Sequence, residues 1–421
     1  MVPDALRSIP FGLPTALDDV RVIELGGRAT EWCGKLLADL GADVLKVEPP
    51  GGDATRRIGP FVDDHPDPNG SLHFWHYNTS KRGLTLNLGC ADGRDLFRRL
   101  VETADVVLED FRPGHLSSLG LGYEDLATIR PAIILTSITP FGQHGPWRDL
   151  LASDLIHLAL GGPMGVTGYD DPDAPPIGGK GGQAYHIGGN WAFIGTLAAL
   201  IERDVSGRGQ QVDCSIHEAC AVCTEVAVPH WIATHKLVRR QTGRHAAVLP
   251  TPQWQYRCAD GQYLCMIMPN MKYSQFRAVV EWLDAAGMAE DLTDPKYESW
   301  QVRRDDQPHI FEVIGRFVAA HNADQLYHGA QQRDLAWGPV RAPEENLRDP
   351  HFWDRGFFVA VDHPGRDKPL VYPGAPYHGD DLGWRIARAA PSLGEHNEEI
   401  YRGELGLPAG DLVALAESGV I

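Results

Sequence analysis

The 421-residue chain is short of positive charge: 38 lysines and arginines face 56 aspartates and glutamates, a formal net charge of −18. That balance argues against nucleic acid or an anionic membrane surface as the main partner, and a polyanionic ligand would need a local basic cluster. Long apolar runs are also missing, so no segment reads as a membrane span. The opening MVPDALRSIPFGLP has no apolar core and does not read as a secretion signal. Seven scattered cysteines, an odd number, fit reduced thiols in the cytoplasm better than a disulfide framework. Cys220 and Cys223 form a lone C-x-x-C in an expected helix and read as core packing.

Several chemical signatures are absent too. No G-x-G-x-x-G follows the first expected strand, and GGKGG (178–182) lacks the spacing of a phosphate loop. HEAC (217–220) is not H-E-x-x-H, no metal-ligand cluster is visible, and there is no G-x-S-x-G elbow.

What is present is a regular alternation. VRVIEL (20–25) reads as a buried strand, WCGKLLADLG (32–41) as a helix stopped by glycine, and ADVLKVEPPGG (42–52) as a second strand. The pattern continues through LTLNL (84–88), ADGRDLFRRLVETA (91–104), DVVLEDF (105–111), YEDLATIR (123–130) and AIILTSITPFG (132–142). This predicts an α/β fold with a mostly parallel sheet covered by helices. Residues 190–203 place Trp191, Ile194, Leu197 and Ile201 at helical spacing and predict a helix buried nearly all round; HEACAVCTEVAVPHWIATH (217–235) predicts a second long helix. YRCADGQYLCMIM reads as a hairpin in a smaller segment, and the proline-rich chain after WGPV reads as arms laid over another surface.

In parallel sheets ligands sit beyond the carboxyl ends of the strands. There the sequence places Arg56 and Arg57 in GDATRR and Arg112 in EDFRPGH, while Lys81 and Arg82 in NTSKRG precede a further strand; together they make a basic rim on an acidic protein. Each cation reads either as ion-paired surface charge or as part of a phosphate site. Against this rim stands a gap in negative charge: from Ala174 to Ile201 there is no Asp or Glu, although IGGKGGQAYHIGGNWAFIGTLAAL (177–200) brings a glycine-rich turn to a helix start. Such a turn suits an anion or a carbonyl oxygen.

The ordered segments LLADLGADVLKVEPPGGD, NTSKRGLTLNL, LEDFRPG, FGQHGP, GGPMGVTG, IGTLAALIERDVSGRGQQVDCSIHEA, WGPV and PSLGEH together resemble the class III CoA-transferases, from about residue 18 to 405. This is the formyl-CoA transferase, carnitine CoA-transferase and bile-acid-inducible F family. The resemblance implies a Rossmann-like large domain built from both ends of the chain (1–224 and 331–421), a small α+β domain (225–330), and an interlocked dimer. It implies coenzyme A or acyl-CoA as substrate along the strand ends, with Arg56, Lys81 and Arg112 at its phosphates and adenine end, and no metal.

It also implies a nucleophilic Asp that forms an acyl anhydride, a role in which a carboxylate suits exchange with a carboxylic acid. The family's Asp stands twelve positions before the LAAL segment, which here is Tyr185. The racemase branch would place a His at Ser153 and the Asp again at Tyr185; both are absent, and Asp154 reads as structural. His186 remains, either as a turn histidine or as a general base.

Three readings follow. The chain is the subunit without the nucleophile in a heteromeric transferase, as in two-subunit succinyl-CoA:benzylsuccinate CoA-transferases, interlocked with an Asp-bearing paralogue. Or it is an autonomous acyl-CoA enzyme (isomerase, racemase-like or hydrolase) using His186 or Tyr185. Or it is a CoA-binding regulatory protein without turnover. HFWHY (73–77) and GNWAF (189–193) read either as an apolar acyl pocket for an aromatic or branched acid, or as core.

Overall fold

A computed structural model describes residues 15–224, 226–266, 272–379 and 382–421. The N-terminal stretch 1–14, position 225 at the expected domain boundary, and Ile267 and Met268 of the expected hairpin lie outside the described residues. The chain divides into two compact units: Met1–Gly162, Gly179–Cys223 and Pro350–Ile421 form the large one, and Pro163–Gly178 with Thr224–Asp349 the small one.

The large unit is built on six parallel strands: β1 (Arg21–Leu25), β2 (Asp43–Glu48), β3 (Arg82–Thr85), β4 (Val106–Glu109), β5 (Ile134–Thr139) and β6 (Gln211–Ser215). Their order is β3-β2-β1-β4-β5-β6, which reverses direction between β1 and β4. This is the doubly wound order, and its crevice opens at that reversal. Covering helices include α1 (Glu31–Asp39), α2 (Leu72–Tyr77), α3 (Ala91–Val101), α4 (Asp154–Leu160) and α5 (Gln183–Ser206). Leu96, Phe97 and Leu100 of α3 fall at helical spacing and pack on Leu45, Leu84 and Val107 of the sheet.

PSLGEH returns to the open edge of β3. His396 Nδ1 accepts the Gly83 N–H at 3.1 Å and Asn397 Oδ1 accepts the Thr85 N–H at 2.9 Å. Side chains thereby satisfy an edge that would otherwise be free to pair. The close approach uses Gly83, where a Cβ would stand 2.9 Å from Pro391.

The long helix α5 corrects one expectation. Apart from Leu200 its buried residues are small, Ala184, Gly188, Gly189, Ala192, Thr196 and Ala199, while Trp191 (48%), Ile201 (68%) and Val205 (88%) are exposed. Close packing selects the small face, because a Cβ at Gly188 would come 2.9 Å from Ile216 and one at Gly189 3.0 Å from Trp32. Trp191, Ile194, Ala198, Ile201 and Val205 thus form an outward stripe at spacings of three and four residues. The expected helix 217–235 is likewise two helices, Ile216–Ala221 and Ala227–Thr234.

The small unit contains the expected hairpin as β7 (Gln255–Arg257) and β8 (Tyr263–Met266), joined by β9 (Trp337–Pro339). The pairing of β9 with β8 carries this unit past the expected limit of 330 to Asp349. Pro163–Gly178 joins it through Arg244, which meets Asp170 at 3.0 Å, and Arg240, which donates to the Ala174 carbonyl at 2.6 Å. Its core is Leu264, Phe276, Val279, Leu283, Ile314, Phe317 and Trp337.

Candidate active site

At the reversal between β1 and β4 the turn Gly26–Gly27 follows β1, where a dinucleotide fold would hold a phosphate. Here the protein's own Asp110 occupies that place. Its carboxylate accepts the Gly27 N–H at 3.0 Å and the Ala29 N–H at 3.1 Å. A Cβ at Gly26 would fall 1.9 Å from Asp110 Oδ1, which is why a glycine with positive φ stands there. Burial pushes the Asp110 carboxyl up to about 6, against the pull of Lys46 and the two N–H groups.

Behind this turn lies a fully paired interior. Glu24 meets Lys46 at 3.0 Å and Lys81 at 2.7 Å, all three side chains inaccessible to solvent. The two lysines outweigh the burial that would otherwise raise the Glu24 pKa. On α1, Glu31, Lys35 and Asp39 repeat every four residues on an inward face, with Lys35 meeting Asp39 at 2.8 Å. Glu48 holds Arg56 through two bonds of 2.6 and 2.7 Å, and the guanidinium lies 3.8 Å from the Phe74 ring centroid.

Arg56 and Lys81, expected at the CoA phosphates, are both engaged inside the fold. Arg56 is 1% and Lys81 0% exposed, and each is neutralised by a buried carboxylate that desolvation makes costly to leave unpaired. Arg112 differs: it is exposed and has no carboxylate partner among the described residues. It lines a pocket of about 220 Å³ with Glu109, His115, His144 and Arg148. Burial pushes the Glu109 carboxyl in that pocket up to about 7, against hydrogen bonds from Ser137 and the Phe111 N–H.

Tyr185 and His186 sit together in the first turn of α5. That turn starts from Gly182 in the left-handed region with no side-chain cap of its own, and Asp154 at the start of α4 supplies one by accepting the Ala184 N–H at 2.8 Å. Arg28, Glu31, Trp32, His73, Tyr77, Gly182, Tyr185 and His186 line one narrow cleft. Its free space is about 10 Å³, no more than one water needs. His186 Nε2 and Tyr77 Oη are hydrogen-bonded at 3.0 Å, with the His186 ring edge-on to Trp32 at 4.7 Å. Burial keeps His186 below the usual imidazole range and both tyrosine hydroxyls above theirs, so the site holds a neutral base and two protonated phenols near neutral pH.

One carboxylate enters this cleft that the reading of nearby sequence passed over. Glu31 Oε2 meets His73 Nε2 at 3.2 Å, and Oε1 accepts from Asn78 Nδ2 at 3.0 Å. Burial pushes the Glu31 carboxyl up, but the His73 bond with Lys46 and Lys81 prevails and holds it at about 2. Its one sequence signal is the repeat of charges every four residues along a helix otherwise suited to the core.

The sequence matches the family described as CoA-transferase family III over residues 17–397. The chain belongs to CoA-transferase family III. It is 33% identical to the succinyl-CoA:(R)-benzylsuccinate CoA-transferase subunit BbsE of Thauera aromatica, over 95% of this chain and 97% of that relative. It is 36% identical to the succinyl-CoA–D-citramalate CoA-transferase of Chloroflexus aurantiacus, over 97% and 98%. A solved CAIB/BAIF family protein from Brucella suis superposes with a TM-score of 0.80 at 28% identity, over 92% of this chain and 99% of that one. The family's reaction takes a CoA thioester as substrate. Among the described residues of this family member, no group of three or more His, Cys, Asp or Glu side chains could hold a metal ion, and no helix is long and apolar enough to cross a membrane.

Proposed function

We propose that this chain is the subunit without the nucleophile in a heteromeric CoA-transferase, moving CoA between an acyl-CoA such as succinyl-CoA and a carboxylic acid. The observation that carries the reading is the start of α5, where a phenol and a neutral imidazole stand and the one cleft carboxylate, Glu31, is buried with both oxygens engaged. A carboxylate nucleophile must displace the CoA thiolate from the thioester and leave an acyl anhydride; a phenol ester is a poor equivalent. That the relative BbsE is named a subunit supports the same reading.

The outward stripe of α5 suits a partner. Leu151, at 74% exposure, and Leu155 and Leu160 add further apolar area in the same unit, more than scattered exposed side chains usually provide. CoA phosphates fit the Arg112 pocket, where Arg148, His115 and His144 add donors. Arg56 and Lys81 then act through the fold, by fixing Glu48 and Glu24.

The test is transfer from succinyl-CoA to a panel of carboxylic acids, with the pure chain and with a co-expressed family member carrying the Asp. The expected result is turnover only for the pair. Hydroxylamine trapping of an activated Glu31 carboxyl in the pure chain would overturn the reading. The Tyr77–His186 bond favours a second reading, in which His186 is a general base of an autonomous acyl-CoA enzyme. Activity of the pure chain abolished by His186→Ala would select it.

A further inference from the structure

Arg28, like Arg112, stands apart from the other cations around the β1–β4 reversal. Lys35, Lys46, Arg56 and Lys81 are each paired with a buried carboxylate. Arg28 stands in the turn between β1 and α1, exposed, and lacks a carboxylate partner among the described residues. The carboxylates around it are turned elsewhere, Glu31 to His73 and Asn78, Asp154 to the Ala184 N–H, and Asp110 to the Gly27 and Ala29 N–H groups. Its guanidinium carbon lies 4.8 Å from the Tyr185 ring centroid, and Gly182 leaves it room, since a Cβ there would meet Nη2 at 3.4 Å.

A guanidinium seated on an aromatic face keeps its edge N–H groups in one plane, the geometry that a carboxylate accepts through both oxygens. We infer that Arg28 is a specificity-determining residue that binds a carboxylate carried by the acyl substrate at the mouth of this cleft. This rests on the reading that acyl substrates enter there. Two sources share that chemistry: the free carboxylate at the far end of a dicarboxylic monothioester, and the reacting carboxylate of a simple acid.

The test titrates CoA, succinyl-CoA and butyryl-CoA, the last with a methyl in place of the distal carboxylate, into the full chain, with its partner where one copurifies. The expected result is succinyl-CoA bound about tenfold more tightly than butyryl-CoA, a charge-assisted bidentate pair. Arg28→Gln should bring the two within about twofold and leave CoA itself unchanged, with Arg28→Lys between. A succinyl preference that survives Arg28→Gln overturns the inference. Failure of all three compounds to bind sinks the proposed function instead, and a second arm then decides on Arg28. Phenylglyoxal modification of Arg28, followed by mass spectrometry at matched ionic strength, should be slowed by succinate. Equal slowing by butyrate assigns the site to a reacting carboxylate, and no slowing by either overturns the inference.

Discussion

Two regions a few residues apart in sequence treat charge in opposite ways. In the interior, Glu24, Lys46, Lys81, Glu48 and Arg56 are buried and paired charge to charge. At the surface, Arg28 beside Tyr185 and Arg112 in its polar pocket carry the same charge without an ion-pair partner among the described residues. Arg28, Arg56 and Arg112 each follow a strand end, and along the chain they look alike. The difference teaches that a cation near a strand end is a ligand candidate only when no carboxylate of the fold already neutralises it, because separating a buried pair costs more than a surface contact returns.

The comparison breaks most visibly at Arg56. Arg56→Met should destabilise the large unit by about 3–5 kcal/mol, since Glu48 would be left charged and buried. A urea unfolding midpoint close to that of the wild type would show that the interior pair is dispensable.

A somewhat smaller effect belongs to His157, buried behind Tyr185 with the ring centroids 6.5 Å apart. Burial depresses its pKa from 6.5 to about 4. The unfolded chain therefore takes up a proton before the folded one does, so this contribution is full above pH 6.5 and is lost as pH falls toward 4. The loss is at most about 1.4 kcal/mol per pH unit. The raised carboxyls Asp110 and Glu109 work in the opposite sense, so the measurement is the difference between wild type and His157→Gln across that range. A difference that does not change with pH would contradict the assignment.

Arg112→Ala sharpens the surface side. CoA affinity should fall about tenfold, or about 1.4 kcal/mol, with the unfolding midpoint unmoved. Lost stability with unchanged CoA affinity would move Arg112 into the interior class. The smallest effect on the chain itself is expected for Ile201→Asp on the outer stripe, within about 0.5 kcal/mol of wild-type stability. The same change should abolish copurification of a partner, and retention of the partner would remove the stripe from the interface.

Much of the architecture was legible before any coordinates. The strand–helix alternation, the parallel sheet and the hairpin all rest on local periods of apolar residues that burial must respect, and the ordered motifs identified the family. The first turn of α5 was likewise readable as a place without its own acid, since that is a property of residues 174–201 alone. Periodicity did not reveal which face of α5 is covered. It marks two faces, and the glycines and alanines that permit close approach to Trp32 and Ile216 chose between them. Nor did it reveal that Glu31 enters the cleft of Tyr185 and His186, a contact across more than 150 positions of chain.

The sequence by itself thus determined the order of the elements, the family, and the residue types at the helix start, because these depend on local pattern and composition. Only the tertiary structure decided which charges neutralise one another. Pairing is a matter of distance and desolvation, and Arg28, Arg56, Lys81 and Arg112 become different residues only once the sheet has placed a carboxylate beside two of them and left the other two facing water.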